Sequence, residues 1–102
     1  MIDWDKIAEL QSEIGEDDFV EVAQVFVEEI DEKLSAMAGT DSHGADDFHF
    51  LRGSAANLGL TDFADFCGAV ETAGGGTSAD LAEARRRFDA ARAELNEIIA
   101  PA

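Results

Sequence analysis

"FHFLRGSAANLGL", residues 48–60, carries two opposed signals. At about 100° per residue, Phe48, Leu51, Ala55 and Leu58 fall within one narrow arc, the buried face of an amphipathic helix. His49 lies roughly 140° from the centre of that arc by the same rotation, on the solvent side. Its helical neighbours three and four residues away are Ala45, Asp46, Arg52 and Gly53, and Ala56 sits one further turn along that side. An exposed histidine is thus ringed by small side chains, with one cation beside it. Histidine and glycine are both poor helix formers, and glycine in a helix interior costs about 1 kcal/mol relative to alanine. Something besides packing accounts for both.

Outward from this segment, apolar residues recur at helical spacing almost everywhere, and no stretch alternates as a strand does. The breaks fall at glycines. The spacing predicts a first helix from about Asp3 to Ile14, with Asp3 as N-cap and Trp4, Ile7, Leu10 and Ile14 as one stripe. Gly15 stops it. "EDD" (16–18) opens a second helix at the positive end of its dipole. Phe19, Val22, Phe26, Ile30, Leu34 and Met37 mark its buried stripe, which Val20, Val25 and Val27 widen. After "GTDSHG" (39–44), a third helix is expected from near Asp41 or Ser42 to Leu58, with Gly59 as its stop. Thr61 is the expected cap of a fourth helix carrying Phe63, Phe66, Cys67 and Val70. "GGG" (74–76) reads as a flexible turn. "TSAD" (77–80) has the spacing of a capping box and opens a fifth helix lined by Leu81, Ala84, Phe88, Ala91, Leu95 and Ile98. Five amphipathic helices joined by short loops imply an all-α fold, an antiparallel four-helix bundle with an additional short N-terminal helix lying across one end.

Composition bounds the partners. The 102 residues suit a single domain spanning 1–102. The formal net charge is -16, from 23 acidic and 7 basic residues. It is uneven, since residues 1–51 hold 15 Asp/Glu against 2 Lys/Arg and residues 52–102 hold 8 against 5. Such a surface repels nucleic-acid phosphate and anionic membrane, so neither is an expected partner. Most of the excess is read as solubility. Arg85, Arg86, Arg87 and Arg92 are read as a solvated helix face balancing acidic neighbours. Charges interrupt every apolar run, and the acidic start "MIDWDKIAEL" is unlike a signal peptide. A cytoplasmic location and a monomer are expected, and the chain's own start methionine suggests a domain acting alone. Cys67 is the single cysteine, forms no internal disulfide, and is read as a small buried hydrophobe.

The face around His49 has a chemical reading. A solvent-exposed imidazole titrates near about 6.5, so at neutral pH it offers a lone pair able to take a phosphoryl group. Small neighbours let a partner protein bring an acyl phosphate close to the ring, and Gly53 supplies clearance one turn away. Arg52 can reach back to pair with phosphate oxygens. Ser54 can hydrogen-bond either its own helix backbone or a nearby ring. Asn57 lies on the flank.

"HFLRGSAANLGL", His49 to Leu60, resembles the phospho-acceptor motif of histidine-containing phosphotransfer (HPt) domains. That pattern reads His-x-Leu-Lys-Gly-Ser-small-small-x-apolar-Gly, and His49, Leu51, Gly53, Ser54, Ala55, Leu58 and Gly59 match it position by position. "IGEDDFVEVAQVFVEEIDEKL" (14–34) looks like the family's second helix, and "LTDFADFCGAVETAG" (60–74) like the helix after the motif. Two residues depart. Arg52 stands where lysine is usual, a planar fork in place of a point charge. Phe48 stands where a small residue is common, but it faces inward. Asp46 is unusual company for a phosphohistidine, because it repels the added charge or else hydrogen-bonds the imidazole and orients it.

The resemblance implies a phosphorelay intermediate. His49 accepts a phosphoryl group from the aspartyl phosphate of a response-regulator receiver domain and passes it to another receiver, with a hybrid histidine kinase as an upstream candidate. Arg52, Gly53 and Ser54 serve the acceptor. Docking spans the exposed part of the third helix and the adjacent face of the second, around Ala45, Asp46, Arg52, Gly53, Ala56 and Asn57. The receiver holds Mg2+ in such transfers, so no metal or cofactor is assigned here. No GxxxxGK[ST] loop is present, so a carrier without autokinase activity is expected.

Two other readings compete. The acidic half suits a helical adaptor that docks on a basic or receiver partner without phosphotransfer. His43, Asp47 and His49 offer three ligand types for a metal, but Asp47 and His49 diverge on a helix and no fourth ligand completes the set.

Overall fold

The computed structural model describes residues 2–40 and 43–99. Among them five helices form: α1 (Trp4–Ile14), α2 (Glu16–Ala38), α3 (Ala45–Asn57), α4 (Thr61–Thr72) and α5 (Ser78–Ile99). A two-residue antiparallel pairing joins β1 (His43–Gly44) to β2 (Gly75–Gly76), with His43 opposite Gly76 and Gly44 opposite Gly75. α2 packs on α3, α3 on α4, α4 on α5, and α5 back on α2, so four helices close around one core. α1 packs on α2. The Asp3 N–H donates to the Gly59 carbonyl at 2.7 Å, which ties the start of α1 to the end of the bundle where α3 passes into α4.

Local chemistry sets the helix ends. Asp3 Oδ1 accepts from the N–H groups of Asp5 (3.1 Å) and Lys6 (3.2 Å), as expected of an N-cap. Thr77 and Asp80 form the expected reciprocal pair at the start of α5: Thr77 N–H donates to Asp80 Oδ2 at 2.9 Å, and Asp80 N–H to Thr77 Oγ1 at 3.3 Å. Gly59 stops α3 in the left-handed region (φ +69°), and a Cβ there would lie 3.0 Å from the Asp3 carbonyl oxygen. Thr61 is not the cap of α4; Leu60 occupies that position and Thr61 is the first helical residue. The expected start of α3 at Asp41 or Ser42 lies outside the described residues, and the helix is observed from Ala45.

The core takes one fully buried phenylalanine from each bundle helix: Phe19, Phe48, Phe63 and Phe88. The rings of Phe63 and Phe88 stand 5.5 Å apart, tilted. In α2 the buried stripe is Phe19, Ala23, Val27, Ile30, Leu34 and Met37, so Ala23 and Val27 replace the expected Val22 and Phe26. Both sets satisfy a 3.6-residue period, and the neighbouring helices choose between them. Val22 and Val25 are left exposed, and Phe26 half-buried. In α1 only Ile7 is buried, with Leu10 partly so; Trp4 and Ile14, at its ends, reach past the bundle into solvent. In α5 Ile99 is buried and Ile98 is not.

Two loop readings change. Of residues 74–76, Gly74 is in the expected turn, while Gly75 and Gly76 form β2. Gly75 (φ +123°) is in the β pairing, where a Cβ would lie 2.8 Å from the His43 carbonyl oxygen. His43, in the 39–44 stretch expected to separate the second and third helices, is 5 % exposed in β1. The arginine cluster is also more than a solvated face. Arg85 and Arg92 reach Asp31 of α2 at 2.6 and 3.6 Å, and Arg87 reaches Asp62 of α4 at 3.0 Å while lying over the Phe66 ring. Three of the four arginines therefore tie α5 to its neighbours. No helix among the described residues is long and apolar enough to cross a membrane.

Candidate functional site

α3 buries Phe48, Leu51, Ser54 and Ala55 and turns its other side outward. His49 stands on that outer side with its side chain 63 % exposed, as the helical rotation requires. The ring is held from one edge only. Its Nδ1 lies 2.8 Å from Glu71 Oε2 of α4. Arg52 Nε donates to the other oxygen, Glu71 Oε1, at 2.8 Å, and its Nη2 comes within 3.4 Å of His49 Nδ1. One carboxylate therefore grips the His49 ring and its neighbouring cation together.

This geometry selects a tautomer. A carboxylate beside Nδ1 is satisfied when Nδ1 carries the proton, which leaves the lone pair on Nε2. No hydrogen bond reaches Nε2 among the described residues. Glu71 is held as the anion, since its carboxyl lies below the ordinary value of 4.5, first through the hydrogen bond from Arg52 and then through that from His49. With Nδ1 beside the carboxylate and the side chain 63 % exposed, a ring in that tautomer offers Nε2 as a nucleophile.

The surroundings are open. A Cβ added to Gly53 would meet no heavy atom within 4 Å, so nothing inside this chain requires glycine there. Ala56, Asp46 and Asn57 are exposed, and Ala45 is half-buried at the first turn of α3. Asp46 is not the carboxylate that orients the imidazole; Glu71 takes that place. Ser54 is 8 % exposed on the inner side of α3, and no hydrogen bond joins it to the His49–Arg52–Glu71 cluster. On the α2 side, Lys33 Nζ pairs with Asp47 Oδ1 at 2.7 Å and lies 5.6 Å from the centre of the half-exposed Phe50 ring. On the α4 side, Arg52, Ala56, Asp65, Gly68, Glu71 and Thr72 line a groove beside the histidine. His49 thus leans toward α4, whereas sequence reasoning looked only toward α2.

Glu71 and Gly68 were missed. An acidic residue in a chain with 23 of them carries no signal of its own. Only the packing of α4 on α3 brings Glu71 across from His49. The three side chains considered for a metal are separated by their partners, Asp47 going to Lys33 and His49 to Glu71 while His43 is buried. Among the described residues no group of three or more His, Cys, Asp or Glu is arranged to hold a metal ion. Cys67 is buried in α4, and burial pushes its thiol up to about 12, against a smaller opposing pull from Arg87.

A family model described as the Hpt domain matches residues 17–100. The chain belongs to the Hpt domain family, whose members carry phosphoryl groups on histidine in phosphorelay signalling, as phosphocarriers more than enzymes, and interact with receiver domains and kinases. Comparison with curated proteins and with solved structures returned no significant match.

Proposed function

We propose that His49 is the phospho-acceptor, taking a phosphoryl group from the aspartyl phosphate of one receiver domain and passing it to the aspartate of another. The observation that carries this reading is the tether at Nδ1 on a ring that is 63 % exposed. In the forward step Nε2 attacks phosphorus, the Nε2–P bond forms, the acyl-phosphate P–O bond breaks, and the receiver's aspartate leaves as a carboxylate. Nδ1 keeps its proton throughout, so the positive charge gained by the ring sits beside Glu71. Transfer onward reverses the sequence and releases a neutral imidazole, a good leaving group. Arg52 has guanidinium N–H groups left over from its bond to Glu71, and these offer donors to the phosphoryl oxygens. Ala45, Ala56 and Gly53 supply clearance, with Asp46, Asn57 and the α4 groove at the rim. The protein acts as a carrier without autokinase activity.

The test is incubation with a receiver domain charged from acetyl phosphate, followed by assay for an acid-labile, base-stable phosphate on this protein. His49→Gln is expected to abolish labelling and Gly53→Arg to block it while leaving helix content nearly unchanged. Labelling that survives His49→Gln overturns the assignment. An unlabelled wild type that still binds the receiver points to the adaptor reading.

A further inference from the structure

Two glycines lie inside helices on the outer surface near His49, and their surroundings differ. Gly53 faces open space. Gly68, in the middle of α4, does not: a Cβ there would lie 2.9 Å from Arg52 Cδ, closer than real Cβ contacts come. Gly68 has no left-handed backbone to explain it, since the positive-φ glycines are Gly15, Gly59, Gly74 and Gly75. A helix-interior glycine in ordinary helical conformation is unfavourable relative to alanine, and here the vacant side-chain position is filled by the stem of Arg52. Cδ is not a free end. Its guanidinium is fixed at 2.8 Å by Glu71, and the other end of the side chain is rooted in α3. A methyl group at position 68 therefore requires the Arg52 stem, and with it the guanidinium, to shift.

We infer that Gly68 is a positioning residue for phosphoryl transfer. It seats the Arg52 stem against α4, so that Nε bonds Glu71 while the Nη groups stay beside the acceptor ring. The pairing also accounts for arginine where lysine is usual. The longer, planar side chain lies across the inter-helix groove and needs a position with no side chain beneath it. The charged groups at the groove are Arg52 from α3 and Asp65 and Glu71 from α4, while Lys33 of α2 is engaged by Asp47. The inference rests on His49 as the acceptor, and its test separates the two.

The experiment uses Gly68→Ala, Arg52→Lys and the double variant, with phosphoramidate, which phosphorylates histidine without a partner protein, as the donor. Gly68→Ala is expected to slow labelling of His49 by about tenfold, for a shift of the donor smaller than the full ångström that can cost about a hundredfold. Its melting temperature should be no lower than that of the wild type, because alanine is the better helix former. The Arg52 Nε–Hε and His49 ring 15N resonances should both shift. In the Arg52→Lys background, Gly68→Ala should cost nothing further, since the flexible lysine stem can leave the groove. The same tenfold loss in both backgrounds, or unshifted resonances with an unchanged rate, overturns the proposal. If the wild type takes no label, the phospho-acceptor reading fails. The resonances then decide the positioning role alone, standing if Gly68→Ala moves them and falling if it does not.

Discussion

Glu71 shows how one side chain sets the chemistry of another. Its carboxylate, 2.8 Å from Nδ1 of His49, favours the tautomer with the proton there, which under the proposed function leaves Nε2 to attack. Glu71→Ala is expected to leave a mixture of the two neutral tautomers, visible in the 15N shifts of the ring, and to slow phosphorylation about tenfold or more. The sign of the pH effect follows from the depressed carboxyl. Its contribution is present above the ordinary value of 4.5 and is lost as pH falls through the lower native value. The tether therefore persists from neutral pH to below 4.5, which an acid titration of the Nδ1–H signal checks. Cys67 runs the other way. Burial raises the native thiol to about 12 from 9.0, so its contribution to stability is whole below 9.0 and is lost as pH rises toward 12. Denaturant midpoints are expected to fall from about pH 9 upward, and Cys67→Val should flatten that slope. The chain has no tyrosine and only Lys6 and Lys33 to complicate it. Thiol reagents should not label Cys67 until the protein unfolds.

At the scale of the helix, α3 serves two masters with one period. Phe48, Leu51, Ala55 and Leu58 bury the inner side, and the same rotation turns His49 outward, so its exposure was legible from spacing alone. Gly53 weakens this helix for no internal reason, since nothing lies within 4 Å of its absent Cβ. Gly53→Ala is therefore expected to raise stability by about 0.5–1 kcal/mol in denaturant melts while slowing transfer from a receiver. A gain in stability with an unchanged rate would remove the clearance argument. α2 was less legible. Val22 and Val27 are equally apolar, and only the approach of α3 and α5 made Ala23 and Val27 the inner residues. The same limit hid the β1–β2 pairing, because two-residue ladders have no periodicity to read.

Across the whole molecule, the charge imbalance is met by ties between helices. Asp31 of α2 receives Arg85 and Arg92, and Asp62 of α4 receives Arg87, so arginines of α5 clasp two acidic neighbours. Each such half-exposed pair contributes about 0–1 kcal/mol. The uncompensated charge of -16 acts against the compact state over its whole surface. Repulsion should win, and the melting temperature is expected to rise as NaCl goes from about 10 to 200 mM, where the Debye length falls below about 10 Å. A falling melting temperature would show that the ties outweigh the repulsion.

Helix count, the closing of four helices on one core and the outward histidine were all determined by the sequence, because each depends on local periodicity and on caps within a few residues. The partners of that histidine were decided only by tertiary structure. Glu71 is 22 residues away in sequence and 2.8 Å away in space, and Gly68 reveals its purpose only when the stem of Arg52 lies against it. Contacts between helices depend on how two rigid surfaces settle against each other, which no spacing within either one records.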